Sequence, residues 1–388
     1  MVLVAVLIGG ARLLAAPPGA AAPVESLLPS LHLLEPVWNR PTIHGESVLF
    51  VAEGNGAPAN ARLLFPATKI LSVRAADGRT MFEVDRDFRV SADGSQLGLV
   101  AGSRIPQLAA ADLFPPQGAE RSIAAKAGDP SRSVLFDNGH WFHDQQVEVT
   151  YTRTVTPWPG TAPALAVDRL PRTLARLRKK EKLVLAISGD SISQGYNASG
   201  FTHAPPGMPP YPDLVAAQLR QTFGAEVVLH NRAIAGWSVT QGLKDLDQLL
   251  ATEPDLIVIA YGMNDVGRRD PEAFRAGIAT MLQRIAQARP EAEVILVATM
   301  LGNADWVHTP REMFFRYRDA LATFRGPGVA MADLTDLWNV LLTRKREVDL
   351  QGNGVNHPND FGHRLYAQAI LALLVDSAGP ASVRRTDP

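Results

Sequence analysis

The sequence predicts an α/β protein: a parallel sheet covered by helices on both faces, preceded by a β-sandwich or jelly-roll-like module. Before about residue 153, short branched and aromatic runs are separated by Gly, Pro, Asp and Asn turns, which is how antiparallel β-structure reads. After Glu181, strand-like runs alternate with helical periods, the pattern of parallel strands joined by crossover helices. The 388 residues, 46% hydrophobic and 20% charged, are enough for one large or two ordinary domains and exclude fibrous and disordered classes.

Residues 1–25, beginning MVLVAVLIGGARLLAAPP, read as a leader, an apolar run giving way to small residues and proline. The expected location is therefore secreted, periplasmic or cell-envelope, with no membrane span in the mature protein. Residues 26–155 form the β module, with strands expected at SVLFVAE (47–53), KILSVRAAD (69–77), MFEVDRDFRVS (81–91), SVLFDN (133–138) and QVEVTYTR (146–153). A linker and a short basic helix occupy 156–181. The catalytic domain is expected over 182–379, followed by a disordered tail at 380–388. Its strands should be 183–188, 227–230, 256–260, 294–299 and 329–333, with helices near 211–223, 241–251, 271–289, 311–324 and 360–373.

Several function classes drop out. A formal charge of -1, from 38 basic against 39 acidic residues, argues against a nucleic-acid partner, because phosphate contacts need a basic surface. The absence of cysteine removes thiolate chemistry and disulfides. Nine scattered histidines without ligand spacing give no zinc motif, and no glycine-rich phosphate loop is present, so no cofactor and no metal are expected.

In a parallel α/β sheet, reactive groups belong at the carboxyl ends of strands. The first strand runs into Ser188-Gly189-Asp190-Ser191, a turn that presents a hydroxyl beside a helix start. After the second comes Asn231 to Trp237, where Gly236 allows its N–H to approach a bound oxygen closely. Asn264, whose amide can donate to the same oxygen, follows the third strand. His357 precedes the last helix. Nucleophile, base and oxyanion donors are the parts of serine acyl transfer.

This ordered set resembles the SGNH hydrolases, also called the GDSL esterase/lipase family. The resemblance rests on SGDSIS (188–193), NRAIAG (231–236), YGMND (261–265) and NHPNDFGH (356–363), and it covers about 182–376. It implies a three-layer αβα hydrolase in which Ser191 is the nucleophile and His357 the general base. By the same resemblance the Ser191 N–H, the Gly236 N–H and Asn264 form the oxyanion hole. Two departures stand out: Ala233 replaces a usual glycine, and Gly354 stands where the family places its triad aspartate, three residues before the histidine. The group that orients His357 is therefore open between Asp349, a backbone carbonyl or Asn353 or Asn356, and Asp360, which otherwise reads as a cap.

Other side chains have plainer readings. His363 should be structural, Ser193, Asp190 and Asp265 should hold loops, and Arg232 and Trp237 line either the cleft or the module interface. Asp305, Trp306 and His308 lie in a loop placed to close over substrate. Trp141, Phe142 and Tyr151 would permit sugar stacking. A β module before a serine esterase resembles bacterial carbohydrate acetylesterases, so the expected substrate is an acylated carbohydrate or other small ester. The alternatives are a broad carboxylesterase or lipase, and a carbohydrate-binding protein on a decayed hydrolase scaffold.

Overall fold

The structure is a computed structural model that describes residues 24–54 and 56–376. The expected leader lies outside them except for Val24 and Glu25, as does the expected tail. Among the described residues no helix is long and apolar enough to cross a membrane.

Five parallel strands form the central sheet: β1 Leu183–Gly189, β2 Val227–Asn231, β3 Leu256–Ala260, β4 Glu293–Ala298 and β5 Val329–Asp333. Their order is β2-β1-β3-β4-β5, so the topology reverses direction at β1. Strands β3 and β4 are buried along their whole length, which explains why LIVIA and VILVA (294–298) are continuous apolar runs and not alternating ones. Helices Val239–Leu250, Pro271–Ala288 and Arg311–Ala322 pack side by side in succession, while Tyr211–Phe223 packs against Asp360–Leu374.

Local chemistry sets the helix starts. Asp270 accepts from Ala273 N at 2.9 Å with Pro271 in the first helical position, and Asn359 accepts from Gly362 N at 3.0 Å. Asp360–Leu374 is buried on every side, as a helix enclosed by other elements must be.

The N-terminal part is β-rich. Val147–Arg153 pairs antiparallel with both Thr42–Val48 and Ala67–Ala75, burying Val147, Val149 and Tyr151 on one face. A five-stranded sheet holds Phe88–Val90, Gln96–Leu99, Asn60–Arg62, Phe50–Ala52 and Gln107–Ala109, and Ser122–Ile123 pairs with Val134–Leu135. The expected strand over 81–91 is realised only at Phe88–Val90. Before it the chain turns around buried Asp87, whose carboxylate takes Arg104 Nη2 at 2.6 Å and Glu83 N at 2.8 Å.

The two parts share one continuous apolar core. Polar bonds tie them as well. Lys345 Nζ donates to Glu46 at 2.6 Å with both side chains fully buried, and Tyr151 Oη donates to the same carboxylate at 2.7 Å. Gln146 Nε2 donates to the carbonyls of Val348 and Gln351, each at 2.8 Å.

Candidate active site

The loops that follow β1, β2 and β3, three adjacent strands, carry Ser191, Gly236 and Asn264. Ser191 opens a one-turn helix, Ser191–Gln194, capped by Asp190, which accepts from Ile192 N at 3.0 Å. Gly189 has no room for a side chain: a Cβ there would fall on Ser193. The loop after β2 is fastened to this turn, with Asn231 Nδ2 donating to Ser193 O at 2.7 Å and Ala235 N donating to Gln194 Oε1 at 2.7 Å. Gly236 adopts φ +78, a left-handed conformation suited to glycine. Asn264 Nδ2 donates to Trp237 O at 2.9 Å, which fixes the amide beside Gly236 and leaves its second hydrogen available.

His357 stands opposite. Its Nε2 lies 2.9 Å from Ser191 Oγ, and both side chains are buried. Burial, reinforced by His363, pushes the imidazole down to about 3, so the ring is neutral through the mildly acid range. Tyr196 meets the ring edge-on at 5.2 Å and in turn packs against exposed Phe201 at 4.6 Å.

The other ring nitrogen has two neighbours. Asn197 Oδ1 lies 2.8 Å from His357 Nδ1, and Asn353 Nδ2 lies 3.0 Å from it. Which end of each amide faces the ring follows from the remaining bonds. Asn197 Nδ2 faces the carbonyls of Gly139 at 2.9 Å, Gly352 at 3.1 Å and Asn138 at 3.4 Å, so its oxygen must point to the imidazole. Asn353 Oδ1 accepts from the N–H groups of Val355, Asn356 and His357, so its nitrogen is the end near the ring.

Asn197 was not singled out from the sequence. It lies in GYNASG just past the serine turn, at φ +61, a conformation asparagine tolerates better than most residues. The other candidates for this contact are engaged elsewhere. Asp349 is fully buried, with Oδ1 accepting from Leu49 N at 2.8 Å and Oδ2 from Arg346 N at 2.7 Å, and none of its bonds reaches His357. Asn356 Oδ1 accepts from Asn353, and Asp360 Oδ1 from Ser199 N at 2.7 Å.

Buried carboxyls lie behind the serine. Asp190 has one oxygen without a partner, and burial pushes it up to about 7; burial raises Asp265 to about 6, its oxygens facing Val239 N at 3.3 and 3.4 Å. His363 sits between Tyr211 N and Tyr196 O, a structural position. Arg232 forms a two-pronged ion pair with Asp245 at 2.6 and 2.7 Å. The 305–308 loop is tied to the β module, with Ala127 N donating to Asp305 O at 2.7 Å and Trp306 Nε1 to Ala124 O at 3.1 Å.

Among the described residues one group could be considered for a metal: the donor atoms of His32, Glu35 and His44 lie within 4.8 Å of one another. The two imidazoles stack at 3.5 Å with planes 7° apart, so lone pairs lying in those planes do not meet at a point. The geometry fits a carboxylate bridging two rings, at 3.1 and 3.3 Å.

Residues 187–365 match the model of the GDSL-like lipase/acylhydrolase family, a span that contains Ser191, Asn197, Gly236, Asn264 and His357. The chain carries a GDSL-like acylhydrolase domain. With a serine hydroxyl bonded to an imidazole, that domain is a serine ester hydrolase. No curated protein matches the chain. Solved structures similar to it include a two-domain esterase active on acetylated mannans, at 21% identity and TM-score 0.43, the match covering 55% of either chain. An α/β hydrolase from the metagenome of Lake Arreo, Spain, is 21% identical with TM-score 0.40, covering 50% of this chain and 94% of that one. An acetylxylan esterase from Geobacillus stearothermophilus is 18% identical with TM-score 0.40, covering 50% and 95%.

Proposed function

We propose that the acylhydrolase domain removes a small acyl group, an O-acetyl, from a carbohydrate hydroxyl, outside the cytoplasm. The carrying observation is the 2.9 Å bond between Ser191 and His357 beside the aromatic surface of Tyr196 and Phe201. Aromatic faces next to a nucleophile suit the apolar faces of a sugar ring. The leader-like apolar start of the sequence supports export.

In this reading Ser191 Oγ attacks the ester carbonyl as His357 Nε2 takes its proton. The Ser191 N–H, the Gly236 N–H and Asn264 Nδ2 donate to the oxyanion. Collapse of the tetrahedral intermediate breaks the C–O bond, and His357 returns the proton to the departing sugar oxygen. Water, deprotonated by His357, then attacks the acyl-enzyme, releasing acetate and restoring the Ser191 hydroxyl. Because the imidazole is buried and neutral, its positive charge arises only together with the oxyanion, and each stabilises the other.

Acetate release from acetylated polysaccharides and aryl acetates, run beside Ser191→Ala, tests this. The expected result is release by the parent protein that falls by on the order of 10⁴-fold or more in the variant. Release confined to long-chain esters would make the protein a lipase, and no release from any ester would refute the reading.

A further inference from the structure

We propose that the N-terminal β module is a working part of the acylhydrolase site: the carbonyls of Asn138 and Gly139 hold Asn197 with its oxygen on His357 Nδ1, and Asn197 acts as the positioning residue in place of an aspartate at 354. The inference rests on the reading of Ser191 and His357 as nucleophile and base, and deepens it.

Two observations carry it independently. The first is the closed set of bonds around Asn197. Of the three carbonyls facing its nitrogen, those of Asn138 and Gly139 belong to the β module and that of Gly352 to the His357 loop. An amide nitrogen can only donate, so these oxygens choose the rotamer that puts Oδ1 on the imidazole. The module loop is itself braced, with Asp137 Oδ1 accepting from Gly139 N at 2.8 Å and Asp137 N donating to Asn353 O at 3.3 Å. The second is the space at Gly354. A Cβ there would fall on Leu135 O and lie 2.6 Å from Phe142 Cζ, and the backbone is at φ +85. The β module thus occupies the volume an acid at 354 would need, and supplies the means of holding its substitute.

The arrangement also decides the tautomer. Asn197 Oδ1 accepts from Nδ1–H, which leaves the Nε2 lone pair for the Ser191 hydroxyl. Asn353 Nδ2, 3.0 Å from the same nitrogen, favours the opposite tautomer, in which Nε2 carries the proton and cannot serve as base. Asn197 holds the productive form against that competitor.

The test joins kinetics to the ¹⁵N and ¹H resonances of His357, which read the tautomer without substrate. The parent protein should carry its proton on Nδ1. In Asn197→Ala, Asn353 becomes the remaining neighbour of Nδ1: the proton should move to Nε2, and kcat should fall by on the order of 10²- to 10⁴-fold with KM within about threefold. Asn197→Asp keeps an acceptor toward Nδ1 but turns its second oxygen on the carbonyls, so it should recover activity only at acid pH, where that oxygen carries a proton. Asp137→Ala, which loosens the module loop while leaving Asn197 in place, should lower kcat about 3- to 10-fold at unchanged KM. It serves as the decisive variant if Asn197→Ala does not fold. Retention of the Nδ1 proton and of kcat within about threefold in Asn197→Ala, or in Asp137→Ala where that variant decides, overturns the inference. A parent protein that hydrolyses no ester overturns the serine-esterase reading instead, and the tautomer measurement still decides the role of Asn197.

Discussion

Gly354→Ala isolates the packing of the β module against the histidine loop. Two costs apply at this position. A non-glycine residue in left-handed backbone is disfavoured by about 1–2 kcal/mol, and Gly354 sits at φ +85. The added methyl must also displace Leu135 O and the ring of fully buried Phe142, and overpacking of this kind costs about 1–3 kcal/mol. Against these, alanine reduces the conformational freedom of the unfolded chain, which returns about 0.4–1 kcal/mol. The net expectation is a loss of about 1–4.5 kcal/mol. Urea denaturation followed by circular dichroism, with an unchanged m-value, would measure it. Combining the change with Phe142→Ala should give less than the sum of the two losses, because the ring clash disappears, while the collision with the Leu135 carbonyl persists. A Gly354→Ala midpoint indistinguishable from that of the parent would refute the claim that the module fills the place of the family's aspartate.

Three further outcomes are expected. The acid limb of kcat/KM should lie well below the 6.5 of a free imidazole, since His357 is held near 3 and works as a base only when neutral; a limb at 6.5 or above would contradict the buried setting. Asp190 has a folded value near 7 against 3.8 unfolded, so its contribution to stability is full below about 4 and is lost as pH rises toward 7. Asp190→Asn should therefore remove about 2–3 kcal/mol of the parent's loss of stability between pH 5 and 8, and an equal loss of unfolding free energy in parent and variant over that range would count against it. Lys345→Met should destabilise by about 3–5 kcal/mol, because it leaves buried Glu46 without its cation; thermal unfolding close to that of the parent would show that the pair contributes little.

The parallel sheet was readable because each strand is a short apolar run between helical periods, and helices such as Tyr211–Phe223 and Arg311–Ala322 lie where the periodicity placed them. Leu334–Leu341 and Glu347–Leu350 were not foreseen: the first follows β5 with only Asp333 as a cap, and the second is a single turn. In the β module, three-residue strands such as Asn60–Arg62 and Gln107–Ala109 are too short to show alternation. Ser191 and His357 could be named because each sits in a block of residues at a strand end or helix start, and the structure brings the two within 2.9 Å. Asn197 could not, because its role depends on carbonyls from residues 138, 139 and 352, and a carbonyl leaves no mark on residue type. The carboxylate of Asp349 illustrates the converse. Its position near the histidine in sequence suggested an orienting role, yet its oxygens are taken by Leu49 N and Arg346 N.

The bonds between the two ends of the chain bear on the order of events at the ribosome. Leu49 N waits for Asp349, Glu46 for Lys345, and Ser47 Oγ for Asn359 Nδ2, partners roughly 300 residues later in synthesis. Chains emerge at about 5–20 residues per second, so the first strands spend on the order of tens of seconds without the groups that satisfy their buried polar atoms. Ser191 is likewise made long before His357. A nascent chain stalled before residue 345 would lack the partners of Leu49 N, Glu46 and Ser47 Oγ, and with them the pairing of Ser191 with His357.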